Sequence, residues 1–497
     1  MISRRRLFVA AAALPFMASS AGCVRSQASS MPATRPLPIP PLDTGTVGAD
    51  RVRRFTLDAQ PGITEMLPGK QTATWGYNGS ILGPTFRARR GEQVAFTVTN
   101  DLPEITSVHW HGMRVPAQHD GGPHQSINPG STWTPEWTID QPAATLWYHP
   151  HPHGSTEKHV YRGLSGIFVI DDDLADGLDL PSRYGVDDIP LVIQDRRFTP
   201  DGSLDETDDS KYGLLGDTVI TNGIAGAHLP VSTERVRLRI LNGASSRLFN
   251  LTCSDGRSFD LIATDGGFLP NILSVNRIQL SPGERAEVVI TMRASETVTL
   301  QSLPIESRAG MSDPETFGFD DAFDILTLRA DQSLTTSPPL PAVLTTVTPL
   351  VDPATPINRS FELQWYMING QRMDMNRIDL VVATDTTEVW SIRNADNWPH
   401  NFHIHDVQFQ VVSVDGRRPA PELAGWKDTI YTEPGHTYTV SMTFSGHSDP
   451  TYPYMYHCHL LRHEDQGMMG QFLVLAPDHQ PTPMKMPMPQ GHSSDSH

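Results

Sequence analysis

"EQVAFTVTN", residues 92–100, sets Val94, Phe96 and Val98 against Gln93, Thr97 and Thr99. Strict alternation of this kind buries one face of a β-strand and leaves the other polar. "RVRLRILNG" (235–243), "AEVVITM" (286–292), "TEVWSIRN" (387–394) and "QFQVVSV" (408–414) repeat the pattern and read as further half-buried strands. Turn signals such as "YNGS", "INPG", "SPGE" and "EPGH" separate such runs, and helical heptads are missing. Many short strands with this punctuation predict an all-β chain of antiparallel sandwiches.

At 497 residues, 38% hydrophobic and 19% charged, the chain is long enough for about three domains of ~150 residues each. Composition breaks place them at 48–172, 185–335 and 355–477. A short linker, "DDDLADGLDLPSRYG" (171–185), and a Pro/Thr/Ser-rich one, 331–356, divide them, and "RPLPIPPLD" (35–43) forms a stiff lead-in. Residues 478–497 read as a disordered tail containing methionine and histidine. The formal charge of −18 excludes nucleic acid as a partner, because such binding needs a basic surface.

Residues 1–23 read as a leader. Twin arginines in "SRRRLF" precede a short apolar run, and "SAGC" resembles a lipobox ending at Cys23, with Ser20 where leucine is usual. The expectation is twin-arginine export to the periplasm or cell envelope and a lipid anchor on Cys23. An ordinary cleavable signal is the alternative. Cys253, in "NLTCSDG", has no histidine near it and reads as a small core residue.

Histidines gather in four groups: "HWHG" (His109, His111), "WYHPHPHG" (His149, His151, His153), "HNFHIH" (His400, His403, His405) and "YMYHCHLLRHEDQGMMGQF" (454–472), where His457, His459 and His463 surround Cys458. On a strand, H-x-H directs both imidazoles to one face. A thiolate, two imidazoles and a long thioether contact compose the trigonal copper site of electron-transfer proteins, and Cys458, His463, Met468 and His400 supply that set. Zinc tolerates cysteine and histidine but gains little from a thioether. His457 and His459 face away from Cys458 and must serve another centre.

These four motifs, with "YNGSILGPTFRARRGE", "LIATDGGFLP" and "INGQRMDMN", resemble those of the three-domain multicopper oxidases over residues 70–475. The chain is most similar to periplasmic cuprous oxidases and bacterial laccases, with bilirubin-oxidase-like features. The resemblance implies three consecutive cupredoxin-like Greek-key β-sandwich domains, the third carrying a type 1 copper. It implies four copper ions: type 1 on His400, Cys458, His463 and Met468; type 2 on His109 and His403; and a type 3 pair on His111, His149, His151, His405, His457 and His459. Asp120 and Glu464 match the family's proton-supplying carboxylates, a surface carboxylate being the plain alternative. His153, His119, His124 and His159 match no ligand position.

The electron donor is less sharply written. Asp396 stands where cuprous oxidases receive Cu(I), whereas Trp398 resembles the bilirubin oxidases. Met367, Met373 and Met375, and the tail methionines Met484, Met486 and Met488, offer thioethers suited to Cu(I). The implied activity is the coupling of four one-electron oxidations, of Cu(I) or small phenols, to reduction of dioxygen to water, in copper tolerance. A phenol- or bilirubin-type oxidase is one alternative. Another is a copper-free cell-envelope scaffold, because "HNFHIHD" resembles a non-enzymatic cell-division relative. One chain carries every ligand, so a monomer suffices.

Overall fold

The computed structural model describes residues 31–207 and 210–482. The leader and Cys23, and Met484, Met486 and Met488 of the tail, lie outside the described residues.

Gln93–Asn100 is a strand with Val94, Phe96 and Val98 inside and the intervening residues outward, as the alternation requires. It lies between Arg53–Thr64 and the short strands Thr132–Trp133 and Glu136–Thr138. A second sheet, ordered Ala144–Tyr148, Gly166–Asp171, Thr85–Arg89 and Leu42–Asp43, covers its apolar face. Aromatic rings fill the space between: Phe55 stacks on Phe96 at 4.8 Å, and Phe86 meets Phe96 edge-on at 5.1 Å. Such packing contributes beyond the area it buries.

The same two-layer plan recurs twice. Strands between Asp188 and Thr335, joined by Arg35–Pro36, form two six-stranded sheets around Leu238, Ile240, Phe249 and Leu328. Strands between Arg359 and Leu475 form two five-stranded sheets around Phe361, Trp390, Phe402 and Phe472. The lead-in is stitched to two sandwiches, Leu42–Asp43 pairing with Thr85–Arg89 and Arg35–Pro36 with Ala227–Thr233.

Three expectations need correction. The sheets are not purely antiparallel. Each sandwich contains parallel ladders: Arg53–Thr64 with Gln93–Asn100, Asp188–Arg196 with Arg235–Asn242, and Arg359–Gln364 with Thr386–Asn394. A parallel neighbour needs a crossover connection instead of a hairpin, and alternation within one strand carries no record of it. Arg235–Asn242, read as half-buried, is enclosed on both faces. Its polar face meets the first sandwich, where Arg239 grips Asp188 at 2.7 and 3.0 Å and reaches Thr145 at 2.9 Å, while Arg237 pairs with Glu287. The charges are inside because each has a counter-charge there. Similarly, residues 331–335 complete the strand Phe323–Thr335 before the linker begins.

Candidate metal centres

The third sandwich brings His400–Ile404 beside Tyr454–His457, with His403 opposite His457 in the ladder. In the first sandwich His109 and His149 exchange backbone hydrogen bonds of 2.8 and 3.1 Å. The two paired segments face each other across the seam between first and third sandwiches, and every histidine on them is at most 1% exposed.

Within the third sandwich His400 Nδ1 and His463 Nδ1 are 3.1 Å apart, and Cys458 Sγ lies 3.8 and 3.6 Å from them. Met468 is fully buried on the same loop; its carbonyl accepts the Cys458 N–H at 3.1 Å and its N–H donates to His463 O at 2.9 Å. Burial pushes the Cys458 thiol up to about 12. A cation is what this buried sulfur lacks. Behind His400, Nε2 lies 3.3 Å from Asp396 Oδ2. Burial opposes charge on Asp396, but hydrogen bonds from His400 and from the Trp365 and Asn397 N–H groups hold the carboxyl below its ordinary value.

Across the seam are eight imidazoles, two pairs of them stacked: His111 on His403 at 3.7 Å and His109 on His405 at 3.8 Å. Oxygen satisfies the outer nitrogens of six of them, whereas Nδ1 of His151 and of His459 has no hydrogen-bond partner. Nδ1 of His109 donates to Asp120 O (2.9 Å), of His149 to Pro150 O (2.8 Å), of His403 to Asp428 O (2.8 Å), of His457 to Cys458 O (3.1 Å), and of His405 to Asp120 Oδ2 (2.7 Å). These bonds place the proton outward and turn a bare Nε2 inward. His111 is reversed: its Nε2 meets Asp428 Oδ1 and Thr429 Oγ1, both at 3.0 Å, leaving Nδ1 inward.

The inward atoms lack partners. His109 Nε2, His111 Nδ1 and His403 Nε2 are buried and unbonded. His457 Nε2 stands 3.2 Å from Nε2 of both His151 and His405, and His149 Nε2 stands 3.3 Å from His459 Nε2. His405 and His457 both carry their protons outward on Nδ1, so their contact sets lone pair against lone pair. Burial and the neighbouring imidazoles keep His111, His149, His403 and His405 well below their ordinary pKa, and burial takes His151 and His459 to about 3. These six rings are neutral at neutral pH, and groups of the cage histidines bring their ring nitrogens close enough together to hold a metal ion. The donor set fits copper.

Three multicopper oxidase family models match residues 58–175, 204–299 and 336–478. The chain belongs to the multicopper oxidase family. It is 38% identical to multicopper oxidase mco of Staphylococcus haemolyticus over 432 residues, 85% of this chain and 88% of that protein. It is 35% identical to the cell division protein FtsP of Escherichia coli over 478 residues, 95% of this chain and 98% of that protein. Among solved structures, a multi-copper oxidase from Pediococcus acidilactici superposes with a TM-score of 0.82 at 35% identity, covering 91% of this chain and 94% of that one. Membership of the multicopper oxidases implies copper as the cofactor and oxidation as the chemistry.

In this multicopper oxidase chain the carboxylates singled out from sequence adjoin the histidine cage. Besides holding His405, Asp120 places Oδ1 3.4 Å from His109 Nδ1, and the two Glu464 oxygens lie 3.2 and 3.3 Å from Nδ1 of His151 and His457. Trp398 packs 6.0 Å from His463, beneath Tyr212 (5.0 Å) and Tyr366 (5.8 Å). The Met373 N–H donates to Gly467 O beside Met468. His153 is exposed; His124 bonds Gln471, and His159 packs between Trp75 and Thr106, all apart from the cages. Cys253 is buried in the middle sandwich.

Sequence reasoning missed four supporting residues. Asn401 accepts the His459 N–H, lies 3.5 Å from Cys458 Sγ, and donates to Ser281 Oγ and Pro282 O of the middle sandwich. Asp428, Thr429 and Arg285 support His111. Asn401 was legible as the residue inside "HNFHIH". The other three sit in "WKDTI" and "GERAE", which carry no ligand motif.

Proposed function

We propose that the chain is a four-copper oxidase that takes single electrons from Cu(I) and small phenols, aminophenols among them, and reduces dioxygen to two waters, serving copper tolerance in the cell envelope. The observation that carries this reading is the set of buried imidazole nitrogens without hydrogen-bond partners, His109 Nε2, His111 Nδ1 and His403 Nε2 among them, beside a buried thiol flanked by two of the cage histidines. Type 1 copper would be held by His400, Cys458, His463 and Met468. Type 2 would be held by His109 and His403, and the type 3 pair by His111, His149, His151, His405, His457 and His459. Copper so held supplies one-electron acceptance at the thiolate and four-electron delivery to dioxygen at the histidine cage.

The chain's own residues do the remainder. Cys458 is covalently continuous with His457 and His459, so the two cages share one short stretch of backbone. Asp120 reaches His109 and His405, and Glu464 reaches His151 and His457, so each stands where a carboxyl group can pass on protons for water formation. Asp396, at His400, marks the side from which donors approach, and Trp398 narrows it. The twin-arginine leader and Cys23 support export and lipid attachment, and the complete ligand set in one chain supports a monomer.

Two further readings each have an observation behind them. Trp398 beside His463 favours a phenol- or bilirubin-type oxidase without a copper-homeostasis role. The likeness to FtsP over nearly its whole length favours a copper-free envelope scaffold. Oxygen uptake with Cu(I) and with an aminophenol decides among the three. Four electrons consumed per dioxygen with both donors, without peroxide accumulation, supports the proposal. Turnover of the phenol alone supports the second reading, and no uptake with either supports the third.

A further inference from the structure

The middle sandwich supplies none of the proposed ligands, yet it reaches into the cage. Arg285 and Asp428 are both fully buried and bound by two hydrogen bonds, Nη1 to Oδ1 at 2.7 Å and Nη2 to Oδ2 at 2.6 Å. Arg285 is itself fixed by the carbonyls of Thr145 (3.1 Å), Gly283 (3.0 Å) and Asp265 (2.9 Å). Asp428 then acts on two stacked rings at once. Its carboxylate Oδ1 holds His111 Nε2, and its backbone carbonyl holds His403 Nδ1. The rings, 9° from parallel, are thereby set in opposite senses, one offering Nδ1 and the other Nε2 to the cage.

We propose that Asp428 is the positioning residue that fixes the reversed ring and tautomer of His111, and that Arg285 holds Asp428 in the orientation that does so. A carboxylate occupied by a guanidinium can only accept, so the nitrogen facing it must carry the proton and the opposite nitrogen must be bare. Thr429 completes the arrangement: its hydroxyl donates to Asp428 Oδ1 at 2.9 Å, leaving its lone pairs for His111 and His403 at 3.0 and 3.1 Å. With no acceptor at Asp428, His111 could carry its proton on Nδ1, and that proton would occupy the metal's place. The middle sandwich thus has a function at a site to which it gives no ligand. The inference rests on copper binding at the histidine cage.

The test compares the copper-loaded parent with Asp428→Asn and with the pair Asp428→Asn/Arg285→Gln. The introduced amide must turn its N–H groups either toward Arg285 or toward His111, a donor facing a donor in both cases. In the double variant the two amides can pair, returning an oxygen to His111. The expected result is a visible thiolate band at parental strength in all three. The near-ultraviolet band and copper content of the cage should fall in Asp428→Asn, with copper affinity there about 10- to 100-fold weaker, and recover in the double variant. A near-ultraviolet band at parental strength in Asp428→Asn overturns the proposal. So does joint loss of both bands, which makes Asp428 a support of the fold, and so does a double variant no better than the single. A parent with neither band instead removes the copper reading on which the inference stands.

Discussion

Asp120 Oδ2 accepts a 2.7 Å hydrogen bond from Nδ1 of His405, joining a loop of the first sandwich to the residue just past the strand His400–Ile404 of the third, across 285 residues of chain. The bond fixes one ring of the cage and places an acid at its edge. Asp120→Asn keeps the hydrogen bond but removes the ionisable group. The expected outcome is an unchanged visible band with oxygen uptake reduced about 100-fold or more, the usual contribution of a positioned acid. Parental uptake would remove Asp120 from proton supply.

Copper loading at Cys458 should depend on pH with a definite sign. The thiol, raised from 9.0 to about 12 in the metal-free fold, must lose its proton to bind. Apparent copper affinity therefore rises about tenfold per pH unit below that value, with one proton released per copper. Potentiometric titration during loading measures it, and loading without proton release contradicts it.

The same shift contributes to the alkaline stability of the metal-free protein, beside Cys253 and the buried tyrosines. A folded thiol pKa above the unfolded one contributes stability that is present below pH 9.0 and is lost between 9.0 and about 12. The slope is about 1.4 kcal/mol per pH unit from this group. Denaturant titrations should show Cys458→Ser lacking that slope. Copper-loaded parent should lack it too, because its sulfur has no proton to lose.

Gly283 lies under the cage with φ of +87°, and a Cβ there would stand 3.2 Å from His459 Nδ1 and 3.3 Å from His111 Cε1. Gly283→Ala combines a left-handed backbone cost of about 1–2 kcal/mol with displacement of two imidazoles. Thermal unfolding should show the loss, and the near-ultraviolet band should weaken more than the visible one. Equal weakening of the two would place the strain elsewhere.

Deletion of residues 480–497 tests whether the tail methionines gather Cu(I). Turnover of Cu(I) at low concentration should fall several-fold, thioethers being selective for that ion, while aminophenol turnover stays at the parental rate. Equal Cu(I) turnover in the two proteins ends that role.

The fold and the cages were legible where a local pattern determines the outcome. Alternation in 92–100 was enough to place Val94, Phe96 and Val98 inside; His403 and His405, and His457 and His459, do lie near each other at 5.0 and 5.4 Å, although His405 and His459 stand past the ends of their strands. What failed depends on partners remote in sequence. Arg237 and Arg239 look like a solvent face until Glu287 and Asp188, about fifty residues away in the chain, neutralise them. Parallel pairing leaves no mark within a strand, and the reversal of His111 is decided by Asp428, 317 residues away. A motif names the ligand, but the ring nitrogen it offers is set by what stands behind it.

The most direct measurement is copper per chain together with the optical spectrum of metal-replete protein. Four coppers, an intense visible band from the Cys458 thiolate and a near-ultraviolet shoulder from the histidine cage are the expected result. A colourless, folded protein holding less than one copper per chain would contradict it.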